Sequence, residues 1–180
     1  MRKFKNSKLL KCSYCIAILY LSSALSSNAN ESFESRPYLT IEAAIKGIQA
    51  CRTIAQEKNW RLAIAVTDRA GHLVTFQRMD DVYVRQAKLS IQKAVTASTT
   101  PVSTLKLREL ALAEGSHLSG IELIPEVTII EGGEPITLKN GYQIGAVGVS
   151  GAKPSEDGEC ARIAANQIVV SLSELSLIHI

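Results

Sequence analysis

The chain has few aromatic residues, with 1 Trp, 5 Tyr and 3 Phe among 180 residues. Hydrophobic residues nevertheless make up 46% of the sequence, so we expect a core built mainly from Ile, Val, Leu and Ala. No internal repeat or low-complexity tract is present, which argues against a repeat architecture. The length fits one domain of ordinary size.

The sequence also lacks the local motifs of several common chemistries. Its glycines match neither the phosphate-binding G-x-x-x-x-G-K-[ST] loop nor the dinucleotide-binding G-x-G-x-x-G turn between a strand and a helix. Ser150 has a glycine after it but does not stand in a G-x-S-x-G nucleophile elbow. No His/Cys/Asp cluster has metal-ligand spacing, so a tight protein-only metal site is not predicted. Nucleotide binding and serine hydrolysis have no support.

The chain has no excess of positive charge once the first 29 residues are set aside. The formal net charge is +3, but residues 1–29 carry five basic residues and no acid. The remaining 15 basic and 17 acidic residues give a formal charge of −2. No basic surface is left to attract nucleic acid or an anionic membrane, so we expect neither as a partner.

Residues 1–29 have the pattern of a secretory signal peptide. A basic start leads into the apolar run Cys15–Leu21, and Ser27 and Ala29 offer small side chains for cleavage after Ala29. The apolar run is shorter than the roughly 20 residues of a membrane span. We therefore expect a periplasmic or secreted protein, with an uncleaved membrane anchor as the alternative, and an extended arm over residues 30–38.

Cysteine usage leaves one choice open. Cys12 and Cys15 form a C-x-x-C spacing, but within the leader they have no folded context for a redox or zinc role. The mature part keeps only Cys51 and Cys160, which either form one disulfide in an oxidising compartment or remain two buried free thiols.

The last residues, 175–180, look like the translation of a transposon end used in preparing sequencing libraries. We expect this hexapeptide to be a non-native tail, which leaves a folded domain over residues 39–174.

Hydrophobic periodicity and turn residues predict an antiparallel sheet covered by helices. Thr40 is expected to cap the first helix, and Asn140-Gly141 is a strong hairpin signal. Ser155 is expected to cap the last helix. In order, the predicted elements are a helix to Asn59, strands Leu62–Thr67 and His72–Met79, helices Tyr83–Thr99 and Thr104–Leu112, a strand Val127–Ile130, a turn Glu131–Pro135, a hairpin of Ile136–Leu138 and Tyr142–Val149, and a helix from Ser155.

Several sequence blocks, in the same order, resemble the GlcG/HbpS family of heme-binding-type proteins, which includes the carboxy-terminal domain of PduO-type proteins. The resemblance runs from Leu39 to Val170 and departs from the family pattern after Asp80 and over Thr100–Leu123. It implies an α/β (α+β) profilin-like fold with a central antiparallel β-sheet flanked by helices, homo-oligomers and, for some secreted members, heme. The blocks are Ala65–Asp68, Gly71–Val74, Phe76–Asp80, Lys93–Ala97, Gly132-Gly133 with Pro135-Ile136, Gly145–Gly151, Glu156-Asp157 and Cys160-Ala161.

Two glycine bends and an acidic helix start are the first candidate binding residues. Gly133 and Gly151 expose backbone that can cradle an anion if the two hairpin segments are adjacent, or they only satisfy tight turns. Glu156 and Asp157 can hold a ligand hydroxyl or act as a base, or they only complement the helix dipole.

Four further residues carry chemistry that suits heme. Arg78 and Lys93 can pair with carboxylates such as heme propionates, with surface ion pairs as the alternative. His72 and His117 are candidate heme ligands, since neutral imidazole binds iron, although a histidine on a strand is often only hydrogen-bonded.

We therefore predict an exported protein that binds a small ligand, with heme the leading ligand. No catalytic residue is assigned. The alternatives are an enzyme or accessory protein acting on a small hydroxy- or oxo-acid, with Asp157 or Glu156 as base, and a ligand-free oligomeric module.

Overall fold

The computed structural model describes residues 36–178, with side chains described as far as residue 174. The predicted signal peptide at 1–29 and the arm residues 30–35 lie outside the described residues, as do residues 179–180. Residues 36–40 have no regular secondary structure. No helix between residues 36 and 178 combines the length and apolar character needed to cross a membrane.

The described residues form four α-helices, one short 3-10 helix and four β-strands. Thr40 caps the first helix as predicted, because its hydroxyl oxygen accepts a hydrogen bond from the Ala43 amide at 3.2 Å. In chain order the elements are α1 (Ile41–Glu57), β1 (Ala63–Asp68), β2 (Leu73–Arg78), α2 (Val84–Thr99), α3 (Thr104–Ala111), the 3-10 helix (Ile121–Leu123), β3 (Gly133–Thr137), β4 (Gln143–Ser150) and α4 (Pro154–Ile178).

The four strands form one antiparallel sheet in the order β2-β1-β4-β3. Two hairpins supply the strands, and the central pair places Ala63 opposite Ser150 and Asp68 opposite Gly145. The predicted hairpin around Asn140-Gly141 is confirmed, with Gly141 at φ 82° in the turn. The α+β class and the helix-flanked antiparallel sheet are therefore as expected.

Alternation along the strands separates two faces of the sheet. One face carries branched residues such as Ile64, Val66 and Val147, which pack with α1 and α4 in the main hydrophobic core. The other face carries Ala65 and Gly148, and α2 lies directly against it. The first and last of the described helices, α1 and α4, thus cover one face, and α2 covers the other.

The predicted strand Val127–Ile130 is wrong, although its β-branched residues favour a strand. Glu126 has φ 70°, which turns the backbone, and the Thr128 amide donates to the Thr96 hydroxyl oxygen on α2 at 3.0 Å. The segment therefore bonds to a helix side chain instead of a neighbouring strand. The predicted turn Glu131–Pro135 is also wrong, since β3 already begins at Gly133.

The start of α4 differs from the prediction in which residue caps it. Ser155 lies inside the helix, whose first residue is Pro154. The free amides are bound by acidic side chains instead: Lys153 donates to Glu156 Oε2 and Ala152 donates to Asp157 Oδ1, each at 3.0 Å. Both carboxylates thus act at the positive end of the helix dipole.

Cys51 on α1 and Cys160 on α4 form a disulfide, with their Cα atoms 5.0 Å apart. This resolves the choice left open by the sequence in favour of the disulfide over two free thiols. The bond links the two helices that share one face of the sheet. The helix α4 continues through residues 175–178 of the predicted non-native tail.

Candidate functional site

Lys93 is the centre of the candidate site because its charged side chain is almost completely buried. Its Nζ donates to Asp157 Oδ2 and to the Val149 carbonyl oxygen, each at 2.8 Å. The side chains of Lys93 and Asp157 are only 1% and 4% exposed. Charged groups are rarely buried this deeply unless they are paired, and clusters of this kind often mark functional sites.

Close packing of small residues brings this ion pair together. Lys93 lies on α2, which packs so closely on β4 at Gly148 that a Cβ there would meet the backbone of Ser90 and Ala94. Gly132 packs against both members of the ion pair. A Cβ built there would lie 2.7 Å from Lys93 Nζ and 2.9 Å from Asp157 Cβ. Its φ of 126° also favours glycine. The site thus joins α2, the end of β4 and the start of α4.

Burial shifts the pKa of both partners towards their neutral forms. It lowers the pKa of Lys93 below its ordinary value, and the nearby Asp157 and Glu131 carboxylates oppose this shift. Burial likewise raises the pKa of Asp157, while Lys93 and the Ala152 amide favour the carboxylate. The two groups therefore depend on each other for their charge.

A cleft of about 390 Å³ opens onto this pair. Leu89 and Ile130 give it apolar walls, Arg85 adds an exposed positive charge, and Ser150 and Gly151 line it from the end of β4. Gln86 also lines the cleft, and its Oε1 is buried with no hydrogen-bond partner among the described residues. Apolar walls with a few polar groups are typical of small-molecule sites.

Comparison with known proteins identifies the family. The model described as "Haem degrading protein HbpS-like" matches residues 39–166. The chain belongs to the HbpS-like family. The resemblance seen in the sequence blocks is thereby confirmed.

Two curated relatives of this HbpS-like chain match it over most of their own length. The uncharacterized 15.0 kDa protein from the dhaT-dhaS intergenic region of Citrobacter freundii is 36% identical over 139 residues, covering 76% of this chain and 94% of that protein. Protein GlcG of Escherichia coli strain K12 is 35% identical over 117 residues, covering 65% and 84%.

The fold is also similar to solved structures. One is the crystal structure of a PduOC:heme complex, with a TM-score of 0.66 and 25% sequence identity, covering 73% of this chain and 95% of that chain.

The structure brings together three of the predicted site residues of this HbpS-like chain. Lys93, Gly151 and Asp157 line the same cleft. Gly133 lies next to it, opposite Gly148 across the β3–β4 ladder, but its amide already donates to the Thr104 hydroxyl oxygen at 2.9 Å. That amide is therefore not available to cradle an anion.

The structure places the other predicted residues outside the cleft lining. Arg78 is exposed and lines a different cleft. Glu156 accepts a hydrogen bond from the Lys153 amide at the start of α4. His72 is exposed beyond the far end of β1, with Nδ1 3.4 Å from Asp68 Oδ2. His117 is exposed in the segment between α3 and the 3-10 helix.

Arg85, Gln86 and Leu89 line the cleft, and sequence reasoning did not assign them to a site. A signal for two of them was present, because Gln86 and Leu89 recur at helical spacing with Lys93 and share one face of α2. No group of three His, Cys, Asp or Glu side chains suited to a metal ion occurs within residues 36–178.

Proposed function

We propose that this chain binds a small ligand and that the ligand is heme. The observation that carries the proposal is the likeness to PduOC, a protein of similar fold that has been crystallised with heme. The family description, a heme-degrading HbpS-like protein, supports the same ligand. The cleft above the Lys93–Asp157 pair is the proposed heme-binding site.

The residues of the cleft fit the periphery of a heme but not its iron. Leu89 and Ile130 can contact the porphyrin face, and Arg85 can pair with a propionate. None of the described lining residues is His, Met, Cys or Tyr, and the Lys93 amine is held by Asp157 and Val149. An iron ligand must therefore come from outside this cleft. His72 and His117 are the candidates; His72 lies at the far end of β1 from this cleft, so it can reach a heme here only from a second copy in a homo-oligomer.

Titration of the purified protein with hemin tests the proposal through the Soret band. We expect saturable binding at micromolar hemin, and at least tenfold weaker binding in Leu89→Glu, which places an acid where the porphyrin would lie. Leu110→Glu is the matched control, because Leu110 is exposed on α3 and does not line the cleft. The absence of any saturable spectral change in the wild-type protein would rule out heme.

The histidine variants identify the iron ligand separately. His72→Ala or His117→Ala is expected to shift the Soret maximum if that imidazole binds iron. Mass measurement in solution, with and without hemin, shows whether a homo-oligomer forms. A spectrum unchanged in the double variant would remove both histidines as ligands.

We also propose that the protein is exported to the periplasm or secreted. The leader pattern of residues 1–29 and the Cys51–Cys160 disulfide support an oxidising compartment. Expression of the full chain in bacteria, followed by mass spectrometry of the periplasmic and medium fractions, tests this. A chain beginning at Asn30 is expected, whereas an intact leader in the cytoplasmic fraction would contradict export.

A small hydroxy- or oxo-acid is the second candidate ligand, favoured by the polar floor of the cleft. Gln86 Oε1 lacks a partner within the described residues and can accept from a hydroxyl group, and Lys93 has one ammonium hydrogen beyond its two hydrogen bonds. We expect glycolate or pyruvate to raise the melting temperature of the wild-type protein and not of Gln86→Leu. Unchanged melting across such acids would contradict this candidate.

A further inference from the structure

Three arginines line a second cleft. It lies beside the start of β1, on the side of the sheet that α1 covers. Arg52 lies on α1, Arg61 precedes β1 and Arg78 ends β2, and they line a cleft of about 280 Å³. This cleft shares no lining residue with the one above Lys93 and Asp157. All three arginines are exposed, and within residues 36–178 none of them forms an ion pair.

The charge around this arginine cleft is unbalanced. Asp80 is the one acidic residue of the lining, so three guanidinium groups leave a formal charge of +2. Like charges gathered at one place repel each other and do not stabilise the fold. The register of the sheet holds them there, because Ala63 pairs with Arg78 and Arg61 is only two residues before Ala63. A bound dianion would neutralise the cleft.

Neutral hydrogen-bonding groups complete the lining. The amide side chains of Gln56, Asn59 and Gln77 lie in the same cleft as the arginines. A guanidinium group binds carboxylate or phosphate oxygens through two parallel hydrogen bonds, and amides donate to the oxygens that remain. This set of donors suits a small oxyanion and offers little to an apolar ligand.

We infer that the arginine cleft is a second ligand site, which binds a small organic or inorganic dianion through Arg52, Arg61 and Arg78. The inference does not depend on heme binding in the cleft above Lys93 and Asp157. A dicarboxylate and a phosphate share the required charge and geometry, so the test below includes both.

Trp60 gives the arginine cleft a direct optical reporter. It is the one tryptophan of the 180-residue chain, it is half-buried, and it lines this cleft. Lys58 Nζ lies 4.7 Å from the centre of its ring. An anion bound beside the indole changes its surroundings, so tryptophan fluorescence reports occupancy of this cleft without heme.

Titration of the full chain with succinate and with inorganic phosphate, at constant ionic strength set by chloride and without hemin, tests the inference. We expect a saturable change of Trp60 fluorescence with at least one of the two anions. Saturation by succinate alone assigns a dicarboxylate, and saturation by phosphate alone assigns a phosphate ligand. If neither anion produces a saturable change, the inference is wrong.

Arginine variants then locate the binding. Arg78→Ala and Arg52→Ala are each expected to weaken anion binding at least tenfold, and Arg78→Lys to weaken it less, since it keeps the charge and loses the bidentate fork. Arg69→Ala is the matched control, because Arg69 is an exposed arginine in the turn at the other end of β1. If Arg69→Ala weakened anion binding as much as Arg78→Ala does, the binding would depend only on the overall surface charge. That result would overturn the inference.

Discussion

At the scale of single residues, the buried Lys93–Asp157 pair is the part of the molecule most sensitive to change. Both side chains are almost fully buried, and each provides the other's only opposite charge within hydrogen-bonding distance among the described residues. Removal of one partner of a buried pair typically costs about 3–5 kcal/mol, because the remaining charge is left without compensation. The ion pair therefore links α2 to α4 electrostatically.

We expect Lys93→Met and Asp157→Asn each to lower the free energy of unfolding by about 3–5 kcal/mol, measured by urea denaturation. The double variant should lose much less than the sum of the two, because no unpaired charge remains. Lys106 and Glu109 supply the control, since their ion pair is 2.9 Å long but exposed. Lys106→Met should change stability by less than about 1 kcal/mol. Additive losses in the double variant would contradict this interpretation.

Glu134 on β3 carries a second perturbed charge. Burial raises the pKa of its carboxyl group above the ordinary value of about 4.5, and the repulsion from Glu131 adds to this, while Arg162 opposes it. The folded state then binds a proton more tightly than the unfolded state does. The wild-type protein consequently loses stability as pH rises from 4.5 through the raised pKa.

Glu134→Gln, which mimics the protonated form, is expected to be more stable than the wild-type protein at pH 7 and to lose this advantage below pH 4.5. Denaturant unfolding of both proteins at pH 4 and pH 7 measures the difference. A stability gap that stays constant or narrows as pH rises would contradict the assigned direction.

At the scale of elements, the close approach of α2 to the sheet depends on small residues. A Cβ atom built at Gly148 would contact the Ser90 carbonyl oxygen and the Ala94 backbone of α2. Ala65, its partner across the β1–β4 ladder, is small as well. The short distance between helix and sheet is what allows the Lys93 side chain to reach Val149 and Asp157.

Gly148→Ala is expected to lower the free energy of unfolding by about 1–3 kcal/mol, and Gly148→Val by more, since added volume must push α2 away. The same variants should weaken ligand binding at the cleft above Lys93, as measured by hemin titration. A Gly148→Val protein with wild-type stability would show that α2 does not pack against the sheet at this position.

The elements themselves could largely be predicted, for reasons that are local. Thr40, Asn140-Gly141 and the helical spacing of apolar residues in α1 act within a few positions of one another, so the sequence reveals them. Val127–Ile130 could not be predicted, because Thr96 competes for its backbone amide from more than 30 residues away. The tertiary hydrogen bond to Thr96 outweighed the local preference of these residues for a strand.

At the scale of the whole molecule, the disulfide joins the first and last helices of the described residues. Cys51 and Cys160 are 109 residues apart in sequence, and both are fully buried. Closing a loop of this length removes much of the entropy of the unfolded chain. We expect Cys51→Ala/Cys160→Ala to be less stable than the oxidised wild-type protein by about 2–5 kcal/mol.

Urea denaturation of the oxidised wild-type protein and of the double variant measures this loss. Thiol titration of the protein unfolded without reductant provides the matching chemical check, with no reactive thiol expected from Cys51 or Cys160. Two titratable thiols in the protein purified from the periplasm would contradict both the bond and its use as support for export.

The amino-acid sequence by itself determined the family, the α+β class and the order of most elements, because these follow from periodicity, turn residues and sequence blocks read along the chain. It also singled out Lys93, Gly151 and Asp157. Only the tertiary structure decided that these residues share a cleft with Gln86 while Arg78 faces another, since packing of α2 on the sheet sets distances that no sequence spacing encodes. Burial, which turns an ordinary lysine and aspartate into a coupled pair, exists only once the chain has folded.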